Sequence, residues 1–278
     1  MNEKDFFEHY PKRKEDSNKY DNGVVAFVSG SYGMAGAAYY NLIGARSIGA
    51  SYIHSFLPGS IYPIVAANEM SAVYHPYDAD QKDIFDEIFF RKIKAIGFGS
   101  GMDRSKYAKE YFEYLLTNIN VPFVVDAYGL KNLAQNEELY KLNENLILTP
   151  HMGEFSLLCR MDIEKIEIDK VKIASDFAKK KRITLVLKGP ETIIAYKDGR
   201  IKKNDSGNSC LARAGSGDIL TGMIAGACAL YEDTDIAVED AVWLHGHIAD
   251  LAMKKHAKEN FDLQLYPKIA DYFFFSKR

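Results

Sequence analysis

The chain has 278 residues, 47% hydrophobic and 26% charged, enough apolar material for a large buried core and too much for a disordered chain. A formal net charge of -3 and a pI near 6.2 leave no basic footprint, so no nucleic-acid partner is expected. Cys159, Cys210 and Cys228 are widely spaced and form no C-x-x-C pair, which points to reduced thiols in a cytoplasmic protein and away from a disulfide frame.

The opening run Met1–Lys19 mixes acids and bases without an apolar stretch and does not read as a signal peptide. Residues 1–22 are expected to form a partly ordered arm on a single domain covering 1–278. Short apolar, often β-branched runs then alternate with helical stretches, the pattern of repeated βαβ units and a mostly parallel sheet. In chain order the strands are Val24–Ser29, Tyr52–Phe56, Lys94–Phe98, Phe123–Asp126, Leu146–Thr149 and Thr184–Leu187. Thr192–Tyr196 and Arg200–Lys203 flank a Lys197-Asp198-Gly199 turn and predict a hairpin, hence a small antiparallel edge. The helices are Gly33–Ile48, Ala79–Ile93, Ser105–Thr117, Lys165–Lys181, Ser216–Tyr231, Ile236–Lys255 and Leu265–Phe275. Ile219–Leu230 is the most apolar of these, but it contains two glycines and falls short of the ~20 residues a membrane helix needs, so no membrane partner is expected. Lys179–Arg182 reads as a solvated helix end, and the aromatic run Tyr272–Phe275 as core or subunit interface.

Polar and glycine-rich segments recur just after the strands: Gly30–Gly33, Gly97–Gly101, Asp126, Thr149–Glu154 and Lys188–Thr192. Open α/β sheets bind ligands at that rim, beyond the carboxyl ends of their strands. Ala214-Gly215-Ser216-Gly217-Asp218 directly precedes an apolar helical run. Glycines bare the amides there, and the helix start adds roughly half a positive charge, so Gly215, Ser216 and Gly217 form a candidate anion hole. Asp218, in the first helical turn, either complements the dipole or serves as a general base toward an attacking hydroxyl. No P-loop, H-E-x-x-H or G-x-S-x-G motif is present. Gly97-x-Gly99-x-Gly101 fails the dinucleotide fingerprint, since Met102 takes the final glycine position. His245 and His247 lie two apart on a helix, point in different directions and read as structural, whereas His151 follows a strand and opens a helix at the rim.

Taken together and in order, Val28–Ala37, Gly97–Gly101, Val125-Asp126-Ala127, Leu148–Glu154, Leu187–Thr192 and Asn208–Gly222 resemble the NAD(P)H-hydrate dehydratases of the ribokinase-like superfamily. The resemblance runs from about Arg13 to Leu251. It implies an α/β, ribokinase-like fold with a mostly parallel central sheet and helices on both faces. It also implies a lyase that repairs hydrated NADH and NADPH with ADP or ATP as phosphoryl donor and Mg2+ as companion ion. The expected course is phosphorylation of the hydrate hydroxyl followed by phosphate elimination. By the motif match, Ala37, Gly101, His151 and Asp218 contact the hydrate, Asp218 is the base, and Lys188, Gly189, Pro190, Glu191, Thr192 and Gly217 hold the nucleotide. Metal ligands are not assigned.

The chain departs from the family pattern at Asn18, Ser51, Tyr128 and Arg213, positions expected to surround the acceptor pocket. The alternative within the superfamily is a plain kinase for a vitamin precursor or sugar hydroxyl. A homo-oligomer, tetrameric by family resemblance, is also expected. The epimerase domain fused to many bacterial relatives has no counterpart in these residues, so a separate epimerase is a possible partner.

Overall fold

Val24-Val25-Ala26-Phe27-Val28 is apolar at every position because both of its faces are covered, and all five side chains are buried. This strand, β1, belongs to a computed structural model that describes residues 1–78, 92–103 and 106–276. The remaining strands are β2 (Tyr52–Pro58), β3 (Val73–Tyr77), β4 (Ala95–Phe98), β5 (Phe123–Val125), β6 (Leu146–Leu148), β7 (Thr184–Leu187), β8 (Ile193–Ala195) and β9 (Ile201–Lys203). They form one sheet in the order β3-β2-β1-β4-β5-β6-β7-β8-β9. Every pair from β3 to β7 is parallel, while β7–β8 and β8–β9 are antiparallel. The chain runs outward from β1 to β3 and then returns to β4, so the β1/β4 boundary is a topological switch point, where such sheets bind ligands.

Alternation along the strands divides the interior in two. Val25, Phe27, Ala95, Val124, Ile147 and Val186 face a core shared with the helices Ala35–Ser47, Ser216–Leu230 and Thr234–Ala252. Val24, Ala26, Ile96, Phe98, Val125 and Leu148 face the other, packed by Lys106–Asn118, Tyr128–Gln135, Met152–Cys159 and Lys170–Lys181. The mostly parallel sheet, the helices on both faces and the antiparallel edge match the sequence reading. Gly199, at φ 92°, closes the hairpin by donating its N–H to the Tyr196 carbonyl at 2.9 Å.

Several features differ from it, among them the helix Tyr128–Gln135, for which no helix was expected. β3 is an edge strand carrying Pro76, a residue that breaks a strand pattern yet is tolerated where one side of the ladder is open. A short helix, Tyr62–Asn68, precedes it. The expected Lys165–Lys181 helix is two helices, Ile163–Ile168 and Lys170–Lys181, because Asp169 leaves helical geometry and caps the second by accepting the Lys172 N–H. The arm holds a helix, Glu3–His9, capped by Asn2, whose Phe6 is fully buried against Trp243 and Phe273. The helix expected over Ala79–Ile93 lies almost wholly outside the described residues. No helix among the described residues is long and apolar enough to cross a membrane.

The Ser216–Leu230 and Ala35–Ser47 helices meet backbone to backbone. A β-carbon on Gly222 would overlap the Asn41 carbonyl, and one on Gly44 would overlap the Ile219 carbonyl. Backbone cannot turn aside as a side chain can. Gly222→Ala is therefore expected to destabilise the fold by about 1–3 kcal/mol in urea unfolding, the usual cost of overpacking. Gly36→Ala, where the nearest atom to the added carbon is Tyr40 Cε2 at 3.9 Å, should be neutral or stabilise by up to ~1 kcal/mol, as alanine does in a helix. Equal effects from the two would remove the close approach as the reason for the glycine.

Candidate active site

The Ser216–Leu230 helix begins at Gly215, whose φ of 94° and contact with the Tyr40 ring leave no room for a side chain. The first-turn amides of Gly217 and Asp218 precede any intrahelical acceptor and carry the positive end of the helix dipole. Asn41 sets the height of this turn. Its side-chain amide donates to the Asp218 carbonyl at 2.8 Å and to Ser100 Oγ at 3.2 Å, linking the helix to the loop after β4.

Below the turn lies a charged cluster built from the ends of β4 to β7. Lys188 Nζ is 2.8 Å from Asp126 Oδ1, which also accepts from Thr149 Oγ1 at 3.0 Å. Ser100 Oγ donates to Asp126 Oδ2 at 3.3 Å and is also within bonding reach of the Asp218 carboxylate. Burial pushes the Asp218 pKa up to about 7, and the nearby charges of Asp126 and Glu154 add to the rise; Lys188 and the Ser100 hydroxyl oppose it. Burial works against the Lys188 ammonium, but Asp126 and Glu154 raise its pKa overall, so it stays charged. A base near neutrality beside a fixed cation can take a proton from an alcohol while an anion sits against the amides.

A cavity of about 570 Å³ opens beside the turn. Lys188, Gly189, Pro190, Thr192 and His151 form one wall, Ser216, Gly217 and Arg213 another, and Leu220 and Val242 an apolar floor. His151 caps its own helix: its Nδ1 accepts the Glu154 N–H, and Glu154 accepts the His151 N–H in return.

Ala37 and Gly101 lie elsewhere, pressed against each other so that a β-carbon on Gly101 would overlap that of Ala37. They reach Asp218 through Ser100 and Asn41 rather than through the cavity. Glu191 is exposed, pairs with Lys203 at 3.1 Å and does not line the cavity, unlike its neighbours in the Lys188–Thr192 strip. Gly215 sits behind the turn, shaping it.

The departures from the family pattern do not all surround one pocket. Asn18 and Ser51 lie beside Asn22, before the start of β1, where Ser51 Oγ donates to the Asn22 carbonyl at 2.8 Å. That is the opposite end of a five-residue strand from the rim, roughly 15 Å away at strand rise. Tyr128 is buried behind Gly99, and only Arg213 borders the cavity.

Sequence reasoning passed over Asn41, gave Ser100 and Thr149 no role of their own within the rim segments, and read His245 as structural. An amide facing inward from a Gly/Ala helix was the available signal for Asn41. For the others the partner is supplied by a different strand or helix, which spacing along the chain does not reveal.

The family model described as NAD(P)H-hydrate dehydratase matches residues 25–270. The chain is 31% identical over 248 residues to an ADP-dependent (S)-NAD(P)H-hydrate dehydratase of Bacillus subtilis, covering 89% of this chain and 87% of that one. It is 32% identical over 256 residues to a bifunctional NAD(P)H-hydrate repair enzyme of Moorella thermoacetica, covering 89% of this chain and 48% of the relative. It thus spans most of the former and about half the length of the latter. Among solved structures it is similar to the Bacillus subtilis ADP/ATP-dependent NAD(P)H-hydrate dehydratase co-crystallized with ATP/Mg2+, with TM-score 0.84, 26% identity and 100% and 98% of the two chains covered. A ribokinase-like superfamily protein of Enterococcus faecalis shares the fold, with TM-score 0.86, 22% identity and 100% and 95% coverage. Sequence match, sheet order and rim geometry agree: the chain belongs to the NAD(P)H-hydrate dehydratase family.

Proposed function

We propose that the protein removes water from hydrated NADH and NADPH (NADHX and NADPHX) using ADP or ATP as phosphoryl donor. The observation that carries the reading is a carboxylate with a pKa near neutrality, Asp218, one residue from an amide that faces a nucleotide-sized cavity. In this reading Lys188, Gly189, Pro190, Thr192 and Gly217 hold the donor nucleotide. Glu191, facing away, contributes through the backbone of the strip. The acceptor lies on the Ala37, Gly101 and Asp218 side, with His151 at the border between the two halves.

Asp218 accepts the proton of the hydrate hydroxyl as its oxygen bonds to the terminal phosphorus. The bond from phosphorus to the nucleotide's bridging oxygen breaks, and the first-turn amides of Gly217 and Asp218 together with Lys188 meet the charge on the transferring group, while Gly215 and Ser216 shape the turn. The C–O bond then breaks with phosphate as leaving group, pushed by the ring nitrogen's lone pair. Loss of a proton from the adjacent carbon restores the dihydronicotinamide. Hydroxide leaves carbon poorly near neutral pH, which is why the hydroxyl is converted first.

Mg2+ would offset phosphate charge in the donor. Among the described residues no cluster of three acids, histidines or cysteines is suited to enclose a metal. The site fits an ion that arrives on the nucleotide's phosphates and keeps much of its water, with the Glu154 and Asp126 carboxylates as the hard-oxygen groups at hand. The reading carries with it a cytoplasmic place of action, a separate epimerase as partner, and a homo-oligomer, a tetramer by family, for which the exposed Tyr272 and Phe275 would serve as contacts.

The test is to incubate the protein with hydrated NADH, Mg2+ and either ADP or ATP and to follow the returning dihydronicotinamide absorbance. No recovery with either nucleotide, alongside phosphoryl transfer to another alcohol, would move the protein to the kinase class. Asp218→Asn should lower kcat by ~10²–10⁴-fold, the usual value of a general base, with nucleotide affinity nearly unchanged. Wild-type turnover in that variant would take Asp218 out of its role.

The elevated pKa of Asp218 has two consequences with opposite pH slopes. A base must be deprotonated, so kcat/KM should rise with pH and level off above about 7. For stability, the folded state holds the Asp218 proton more tightly than the unfolded chain; that contribution is complete below about 4 and is lost as pH rises through about 7. Asp218→Asn escapes the loss, so its melting temperature should exceed that of the wild type at pH 8 and converge with it near pH 4, the gap being on the order of 1–2 kcal/mol after allowance for solvent. A gap that widens toward acid would refute the assignment.

A further inference from the structure

His245 sits in the middle of the Thr234–Ala252 helix, buried, with its ring at the edge of the cavity. Its Nε2 is 3.1 Å from the carbonyl oxygen of Ser216 and 3.5 Å from Ser216 Oγ. A carbonyl only accepts, so Nε2 carries the hydrogen. Burial lowers the His245 pKa to about 4, so the ring is neutral at pH 7 and the second nitrogen is bare. Tyr266 holds the ring from behind: the two rings lie 5.5 Å apart at 29°, and Tyr266 OH donates to the His245 carbonyl at 3.1 Å.

The Ser216 carbonyl and the Gly217 N–H belong to one planar, trans peptide and point in opposite directions. Fixing the oxygen therefore fixes where the N–H aims, and Gly217 lines the cavity. A hydrogen bond to a peptide oxygen also polarises that peptide and strengthens its N–H as a donor. The next residue, Gly246, does comparable work on the opposite wall. A β-carbon there would collide with Ser206 and with the Gly207 backbone, and Ser206 Oγ donates to the Trp243 carbonyl at 2.7 Å. Two consecutive residues of one helix thus anchor both sides of the cavity mouth.

We propose that His245 is a positioning residue for phosphate binding: by donating from Nε2 to the Ser216 carbonyl, it holds the Gly217 amide toward the donor's phosphates. This rests on the nucleotide reading given above. It takes His245 out of the purely structural class in which His247 remains, stacked on Trp243 and paired with Glu3 at 3.2 Å.

The experiment compares ADP with adenosine, which lacks the phosphates, by titration calorimetry on the wild type, His245→Leu and His245→Gln. Loss of the donor should weaken ADP by about tenfold, the ordinary worth of one hydrogen bond, and leave adenosine unchanged. Glutamine, whose amide nitrogen reaches the position of Nε2, should restore ADP affinity to within about threefold, again on the scale of a single bond. The kcat for hydrate dehydration should follow the same order, with KM for the hydrate nearly constant. If His245→Leu does not fold, His245→Asn, whose shorter amide stops short of the carbonyl, takes its place with the same expected loss. An unchanged ADP affinity, an equal loss for ADP and adenosine, or a glutamine variant no better than leucine would each overturn the proposal. A wild type that binds neither ADP nor adenosine would refute the nucleotide reading and this inference with it.

Discussion

The site depends on where one helix begins. Ser216–Leu230 can lie directly against Ala35–Ser47 only because Gly44 and Gly222 leave their backbones free to touch. That contact fixes how far the helix projects over the rim, and Asn41 finishes the alignment by tying the Asp218 carbonyl to Ser100. A shift of one residue along the contact would carry the amide turn about 1.5 Å along the helix axis. Misplacements of that size at a reacting centre can cost about 100-fold in rate. In the proposed reaction, small residues such as Gly44 and Gly222 would therefore be part of the working geometry although neither was assigned to a ligand.

The charge arrangement follows from unequal sharing. Asp126 and Asp218 both face Lys188 and Ser100, but Asp126 takes the ammonium at 2.8 Å and two hydroxyl bonds. Asp218 is left with partial burial, a neighbouring negative charge and a share of one hydroxyl, and its affinity for protons rises accordingly. Two carboxylates in one pocket with different surroundings are a recurrent way of obtaining an acid–base group near neutrality. The lysine serves both ends of this arrangement, as it keeps Asp126 occupied and lies close to Gly217.

Most of the sheet was legible in the sequence because parallel strands covered on both faces read as unbroken apolar runs, as in Val24–Val28 and Thr184–Leu187. β3 was not, since an edge strand with a proline and polar neighbours lacks that signature. The break at Asp169 was hidden by continuous helical periodicity on either side of a capping residue. At the site, the residues read from motifs lie after strands, where glycine and charge stand out. The residues given no part in the site act through partners far away in sequence: Asn41 bonds residue 218, and His245, read as structural, bonds residue 216. Spacing cannot show such pairs. The departures at Asn18 and Ser51 illustrate the converse, since the family pattern led to the expectation that they surround the acceptor pocket, yet they lie at the other end of the strands.

Arg213 shows how a departure from the family pattern can leave the geometry of the turn in place. Its guanidinium donates to the carbonyls of Cys210 and Lys258 at 2.8 and 2.6 Å, and also to the Phe261 carbonyl. Three backbone acceptors satisfy most of its donors, so the group behaves as a brace between the 210–213 loop and the 258–261 turn rather than as a charge offered to a ligand. It stands just before the Gly215–Asp218 turn, and in the proposed reaction a mobile cation there would compete with Lys188 for the donor's phosphates. Held by carbonyls, it instead stiffens the approach to Gly215. The approach to the turn is thus braced by Arg213, its first peptide is held by His245, and its carboxylate residue is held by Asn41. Three side chains from three segments fix four residues, the degree of constraint that the proposed phosphoryl transfer would require of backbone amides that meet charge without rearrangement.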